Sequence, residues 1–308
     1  MLKNNYLTRA RREKNDEFYT QYCDVERECN KFRENLRGKV IYCPCDDQSS
    51  NFPKYFKDEY HNLELKGLYF SDINCCTNYY DGVEEKMIGG PVDIRTQDFV
   101  DILKKCDVVV TNPPFSLFIE FLNTIIENGK DFLIIGQQNT ISCKDVFSHL
   151  IEGRCSVDYG FPGIAGWFMV PDDYEDVAVA GEHKEGMIRV SGVIWYTSFE
   201  VFNDNKFLKL TKTYYNEDGT TKDDVYPKYD NFRAISGLDE DAIECKYVKN
   251  IPCDYYGYIG VPISFFGKYN PEQFELIQLD HYGPLGNQDN MVNGVQKYRR
   301  IYAKLRKK

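Results

Sequence analysis

The stretch Asp107-Val108-Val109-Val110-Thr111-Asn112-Pro113-Pro114-Phe115 constrains this chain more than any other. Its first five residues form the short, Val-rich run of a buried parallel strand. Pro113 and Pro114 then end ladder pairing and fix φ, so the chain leaves the sheet in a stiff extended turn. Ser116 is placed to cap a helix over about residues 117–127. A rigid loop at the carboxyl end of a strand is where open α/β sheets hold their ligands. The Asn112 side-chain oxygen and the Pro113 carbonyl are two acceptors held close together. They suit both hydrogens of a planar exocyclic amine, and the Phe115 ring offers a face on which a planar base can stack.

Similar units recur along the chain. Residues 39–45 read as the first sheet strand, ending in the cap-rich turn 46–52 and a helix to about Tyr60. Residues 67–70 are a second strand, followed by Asp72, an acid in the position that commonly bonds a ribose. Residues 92–95 read as a short strand, and Thr96-Gln97-Asp98-Phe99 opens a helix. Residues 131–136 form a further buried strand and 144–153 a short helix. The spacing predicts a mostly parallel, doubly wound sheet, extended by antiparallel strands around 167–171 and 190–196. Past residue 200 the segments become aromatic and turn-rich, with a strand over 260–266 and a helix from Pro271 to Leu276.

The 308 residues divide into a basic arm (1–15), a catalytic domain (16–200) and a smaller α+β region (201–308). No apolar run reaches the length of a membrane span, and the start does not read as a signal peptide. Eleven cysteines, an odd number, with Cys43 and Cys45 inside an apolar strand, indicate reduced, cytoplasmic usage. Neither Cys-x-x-Cys nor a Cys/His cluster is present, so no metal is expected. The net charge of −10 argues against nucleic acid until its distribution is considered. The two ends, 1–14 and 297–308, hold 12 basic residues and one acid, among them Arg9, Arg11, Arg12, Arg299 and Arg300. Taking these from totals of 38 and 48 leaves 26 basic and 47 acidic residues, a net of −21. An acidic body with basic ends can still grip a polyanion; solubilising tails are the alternative.

The combination resembles the EcoRI-type adenine-specific DNA methyltransferase family. Asn112-Pro113-Pro114-Phe115 is similar to the catalytic motif of amino-methylating enzymes, and Asp16-Glu17-Phe18-Tyr19-Thr20-Gln21 to their cofactor motif. Cys45-Asp46-Asp47, Ser50-Asn51-Phe52, Tyr226 to Asn231 and Gly260 to Glu275 carry the likeness further. The resemblance implies a Rossmann-like class I methyltransferase domain with a C-terminal target-recognition region. It implies methyl transfer from S-adenosylmethionine to the N6 amine of adenine in duplex DNA, with the base flipped out, and leaves room for a cognate restriction endonuclease. Asn112 and the Pro113 carbonyl would hold the amine, with Phe115 stacked on the base. Tyr19 and Thr20 would lie near the methionine part, the loop from Cys43 to Asp47 (with Asp46) near the sulfonium, Asp72 at the ribose, and Asp98 and Phe99 at the adenine. Trp195 or Tyr196 would be either the other wall of the base pocket or core. Tyr255, Tyr256, Asn287, Gln288 and Asn290 are candidates for reading bases, and the basic ends for phosphates. The usual Gly-x-Gly of the first loop is replaced by Cys43-Pro44-Cys45.

Rival readings are adenine methylation in RNA, methylation of a protein glutamine, and an inactive DNA-binding protein. The glutamine reading is disfavoured because those enzymes usually carry Tyr at the last motif position and a Gly-rich first loop.

Overall fold

The computed structural model describes residues 19–161, 163, 165–169, 187–201, 207–280 and 290–307. Arg9, Arg11 and Arg12 of the basic arm, Asp16–Phe18, Asn287 and Gln288 lie outside the described residues. The backbone separates into two units, Met1–Gln138 with Arg154–Val201, and Asn139–Gly153 with Phe202–Lys308.

The first unit runs β1 (Tyr19–Thr20), α1 (Tyr22–Lys31), β2 (Val40–Pro44), α2 (Asn51–Asp58), β3 (Gly67–Ser71), β4 (Thr77–Tyr80) and β5 (Glu85–Gly89). It continues with α3 (Gln97–Leu103), β6 (Val108–Thr111), α4 (Phe118–Glu127), β7 (Asp131–Gln137), β8 (Ser156–Asp158), β9 (Ala165–Met169), β10 (Met187–Ser191) and β11 (Val193–Thr197). Eight strands form one mixed sheet in the order β5-β4-β3-β2-β6-β7-β11-β8. Its centre, β3-β2-β6-β7, is parallel, while β4, β5, β11 and β8 pair antiparallel at the two sides. A second sheet joins β1, β9 and β10.

Burial on both faces explains the apolar central strands. Ile41 and Cys43 of β2 pack with Val25 and Cys29 of α1 and Phe52 and Phe56 of α2. Successive strand residues face opposite ways, so Tyr42 meets Phe99 of α3, whose ring also meets Phe121 of α4. Gly136 lets α4 approach β7, since a Cβ there would come 2.4 Å from the Phe118 ring.

The second unit contains α5 (Lys144–Ile151), α6 (Phe232–Ser236), β12 (Ala242–Glu244), β13 (Tyr258–Pro262), β14 (Phe274–Leu279), β15 (Met291–Val292), β16 (Val295–Gln296) and β17 (Arg300–Leu305). A four-stranded sheet runs β12-β13-β17-β14. Tyr302 fills its core, edge-on to Phe232 and Tyr229.

Several expectations are corrected. Residues 92–95 are irregular chain passing into a turn at Ile94 and Arg95, and the hairpin β4–β5 lies just before them. Asp81 makes that hairpin possible by accepting hydrogen bonds from Val83 and Glu84 N–H, beside Gly82 at φ 97°. Ser116 does not hold the cap position: it lies within the 3-10 turn Phe115–Leu117, and α4 begins at Phe118 with Leu117 before it. Pro271 opens a turn, and residues 274–279 are the strand β14, because pairing with β17 outweighs local propensity. The segment 190–196 is two strands, broken at Gly192 with φ 74°; β10 pairs with β9 and β11 enters the large sheet.

Candidate active site

Strand β2 has β3 on one side and β6 on the other. The strand order therefore reverses there, and a crevice opens beyond the carboxyl ends of the two strands. A cleft of about 750 Å³ occupies that position. Asn112 and Pro114 line it from the end of β6, Cys45, Asp46 and Ser50 from the loop after β2, and Asp72 and Ile73 from the end of β3. Tyr19 and Thr20 close another side, and Val92, Asp93 and Ile94 come from the segment before α3.

The loop after β2 is built around two acids. Asp47 Oδ1 accepts Ser49 N–H at 2.7 Å and Ser50 N–H at 3.1 Å, which shapes the turn into α2. Asp46 is buried, and its carboxylate meets the Ser50 hydroxyl and, at 2.6 Å, the Thr111 hydroxyl. Burial, the largest influence, pushes its carboxyl up to about 7; the Ser50 and Thr111 hydrogen bonds oppose the rise, and Asp47 and Asp72 add to it. Cys45 stands in the left-handed region, φ 64°, where a glycine would sit without strain. The glycine-free loop thus keeps a backbone shape that glycine favours.

The other two acids are held differently. Asp72 Oδ1 accepts the Asn74 N–H at 2.6 Å. Asp93 is bound by Arg95, 2.5 Å from Nη2 to Oδ2, which holds its carboxyl below the usual range. The Thr20 hydroxyl oxygen is buried and has no hydrogen-bond partner among the described residues. The cleft thus presents three carboxyl groups, an amide, an orphaned hydroxyl and an apolar wall of Val92, Ile94 and Ile73. That donor and acceptor set fits a partly apolar ligand with a cationic centre and free hydroxyls.

Of the residues singled out from sequence, Tyr19, Thr20, Asp46, Asp72, Asn112 and Pro114 meet in this cleft. Pro113 is buried beside them, and Phe115 is half-buried against the apolar core. Others are placed elsewhere. Cys43 is fully buried in the β2 core, and its neighbour Cys45 takes the position on the cleft. Phe99 is fully buried between Tyr42 and Phe121, and Asp98 is exposed in the first turn of α3. The wall expected from those two comes from Asp93 and Ile94, five residues earlier. Trp195 is fully buried, stacked on Phe161 and edge-on to Phe52, so it is core. Tyr196 is also buried, with its hydroxyl donating to the Gln137 carbonyl.

In the second unit Arg300 leaves the set of phosphate contacts. It is buried, with Nη2 2.7 Å from Glu244 Oε1. Arg300 begins β17 and is buried, while Arg299 precedes the strand and is only half-buried, a distinction the basic run alone does not carry. Asn290 is buried as well, bonded to Asp280 and Tyr302. Tyr255 is half-buried and packs on Tyr214, while Tyr256 is exposed. No group of three or more His, Cys, Asp or Glu side chains among the described residues is arranged to hold a metal. No helix among them is long and apolar enough to cross a membrane.

The chain is similar in sequence to known proteins. The family model described as "Adenine-specific methyltransferase EcoRI" matches residues 6–79 and 69–307. The chain is 39% identical over 331 residues to the type II methyltransferase M.EcoRI of Escherichia coli, covering 98% of this chain and 96% of that one. It is 32% identical to M.MpnI of Mycoplasma pneumoniae, with 98% of each chain covered. It is 30% identical to M.MgeORF184P of Mycoplasma genitalium, over 97% of this chain and 98% of the other. The motif at the end of β6, the acid-lined cleft beside it and a match running the length of both chains lead to one conclusion: this chain belongs to the EcoRI family of adenine-specific methyltransferases.

Proposed function

We propose that the cleft of the first unit binds S-adenosylmethionine and that Asn112 receives the N6 amine of an adenine flipped from duplex DNA. The observation that carries this reading is the meeting of Asn112 and Pro114 with Asp46, Asp72, Asp93 and Thr20 around one cleft. When bound, the donor supplies an electrophilic methyl group on a sulfonium. Asp46 and the other acids suit its positive charge, Asp72 its ribose hydroxyls, and Val92, Ile94 and Ile73 its adenine. The buried Thr20 hydroxyl, without a hydrogen-bond partner among the described residues, would meet the methionine part beside Tyr19.

The chain's own groups account for activation. Adenine's amine lone pair is delocalised into its ring and makes a poor nucleophile. The Asn112 oxygen and the Pro113 carbonyl each accept one amine hydrogen, which localises that lone pair. As positive charge develops on the nitrogen, the same two acceptors stabilise it, fixed in place by two prolines before the reaction starts. Phe115 stacks on the extruded base. Holding the amine in line with the methyl carbon supplies the rest, with no covalent enzyme intermediate and no metal.

We further infer that the parallel strands β3-β2-β6-β7 with α1 to α4 are a Rossmann-like catalytic core. The second unit would read the target sequence. Arg299, with Arg9, Arg11 and Arg12, would contact phosphates, giving affinity without sequence information. The enzyme would act in the cytoplasm, alone or beside a cognate restriction endonuclease.

Purified protein incubated with S-adenosylmethionine carrying a labelled methyl group and with duplex DNA tests the reading. Label in N6-methyldeoxyadenosine after digestion supports it. Label in RNA adenine or in protein glutamine assigns the site to another substrate, and no label in any of them refutes catalysis. Mapping methylated positions in DNA from cells expressing the gene would then identify the recognition sequence.

A further inference from the structure

Asp72 and Ile73, both on the cleft, begin the turn that joins β3 to β4. The same turn carries two adjacent free cysteines, Cys75 exposed and Cys76 buried, whose Sγ atoms stand 3.1 Å apart. The Asn78 amide donates to Cys76 Sγ at 3.3 Å. Cys76 can therefore receive two hydrogen bonds, from Asn78 and from the Cys75 thiol. The hydrogen bond to Cys76, followed by desolvation and the nearby Asp72 and Asp47, raises the Cys75 thiol. Exchange that starts at Cys75 is then faster as pH rises.

We propose that Cys75 and Cys76 are a redox site, closing to a vicinal disulfide on reaction with a small-molecule disulfide and thereby weakening ligand binding at Asp72. In the first step the exposed Cys75 thiolate attacks the small disulfide. Its S–S bond breaks, one thiol leaves with a proton, and a mixed disulfide remains on Cys75. In the second, the Cys76 thiolate attacks Cys75 Sγ and expels the other half as a thiol. The cysteine pair loses two electrons and two protons, and the small disulfide gains both.

The geometry says why closure would reach the cleft. Adjacent Cα atoms lie about 3.8 Å apart across a trans peptide, below the 4.4–6.8 Å or so that disulfides usually span. Bringing the sulfurs from 3.1 Å to a bond therefore requires the turn's backbone to move. That backbone is what aims Asp72. Its N–H donates to the Cys76 carbonyl at 3.3 Å, and its carbonyl accepts Val92 N–H at 3.1 Å. The Asn74 N–H in the middle of the turn holds Asp72 Oδ1. A ring closed under such strain is also easily reopened by thiols, as suits a reversible site. The effect on binding rests on the cleft being the methyl-donor site.

The experiment treats the full-length protein with oxidised glutathione, maps disulfides by peptide mass spectrometry, and measures S-adenosylmethionine binding by calorimetry before treatment, after it, and after dithiothreitol. The expected result is a Cys75–Cys76 disulfide, an affinity lowered about tenfold or more, and full recovery on reduction. The Cys75→Ser, Cys76→Ser double variant should bind as the reduced protein does, with or without oxidant. Oxidation that bypasses this pair overturns the proposal. So does an affinity unchanged in protein shown to carry the ring, or an equal loss in the double variant. Reduced protein that does not bind the donor would instead overturn the cofactor reading, and the mapping would still decide whether the ring forms.

Discussion

The Thr111 hydroxyl lies 2.6 Å from Asp46 Oδ2, joining the residue before Asn112 to the acid in the loop after β2. The same hydroxyl also contacts the Pro44 carbonyl. It has one hydrogen for two acceptors, so donation to Asp46 competes with donation to the Pro44 carbonyl. Burial raises the Asp46 carboxyl, and the hydrogen bond from Thr111 opposes that rise. The link thus connects the ionisation of the cleft to the position of the motif.

Thr111→Val keeps the shape and removes the link. Asp46 then loses one of the hydrogen bonds that stabilise its charge. We expect a stability loss of about 1–3 kcal/mol, read by urea denaturation, and a pH–rate profile displaced to higher pH. An unchanged profile would show that Asp46 does not titrate in catalysis.

Asp46 itself makes stability pH-dependent. Its carboxyl goes from 3.8 to about 7 on folding. Between those values the folded protein holds a proton that the unfolded chain has released, so stability falls as pH rises through this window and levels off above it. The contribution is at most about 4 kcal/mol. Asp46→Asn should therefore be the more stable protein at pH 8 and equal to wild type near pH 4, measured by thermal unfolding. In wild type, affinity for the cationic donor should rise with pH through about 7, and in the variant it should not.

Asn112→Ala should abolish methyl transfer, by about a thousandfold or more, with donor affinity within a few-fold of wild type. Transfer assays and equilibrium dialysis separate the two effects. Retained turnover would mean that another group holds the amine.

Cys45 at φ 64° gives two substitutions of opposite sign. Cys45→Gly relieves the left-handed backbone and should leave donor affinity within about twofold. Cys45→Val places a β-branched residue where it is least tolerated, and should cost about 1–2 kcal/mol of stability and weaken donor binding.

Neighbouring arginines should behave differently. Arg300→Ala leaves Glu244 buried without its cation, costing about 3–5 kcal/mol of stability, seen in denaturant unfolding without DNA. Arg299→Ala should leave stability alone and reduce the salt dependence of DNA binding, log affinity against log salt, by about one in slope.

What the sequence by itself determined was local. The Val-rich strand stopped by two prolines, the acids following β2 and β3, and the family resemblance are all readable along the chain. They place Asn112, Pro114, Asp46, Asp72, Tyr19 and Thr20, which do share a cleft. Local order could not decide which of two adjacent candidates faces the ligand and which the core. Cys43 or Cys45, Arg299 or Arg300, and Trp195 as wall or core differ by where the strand ends and by what packs opposite each side chain, which depends on distant chain segments. The same holds for β14, read as a helix until β17 lies beside it, and for Asp93 and Ile94, whose place on the cleft depends on how the chain before α3 returns to the end of β3. Tertiary contact made these choices because the free energy of burying a side chain outweighs the small local preferences a sequence reveals.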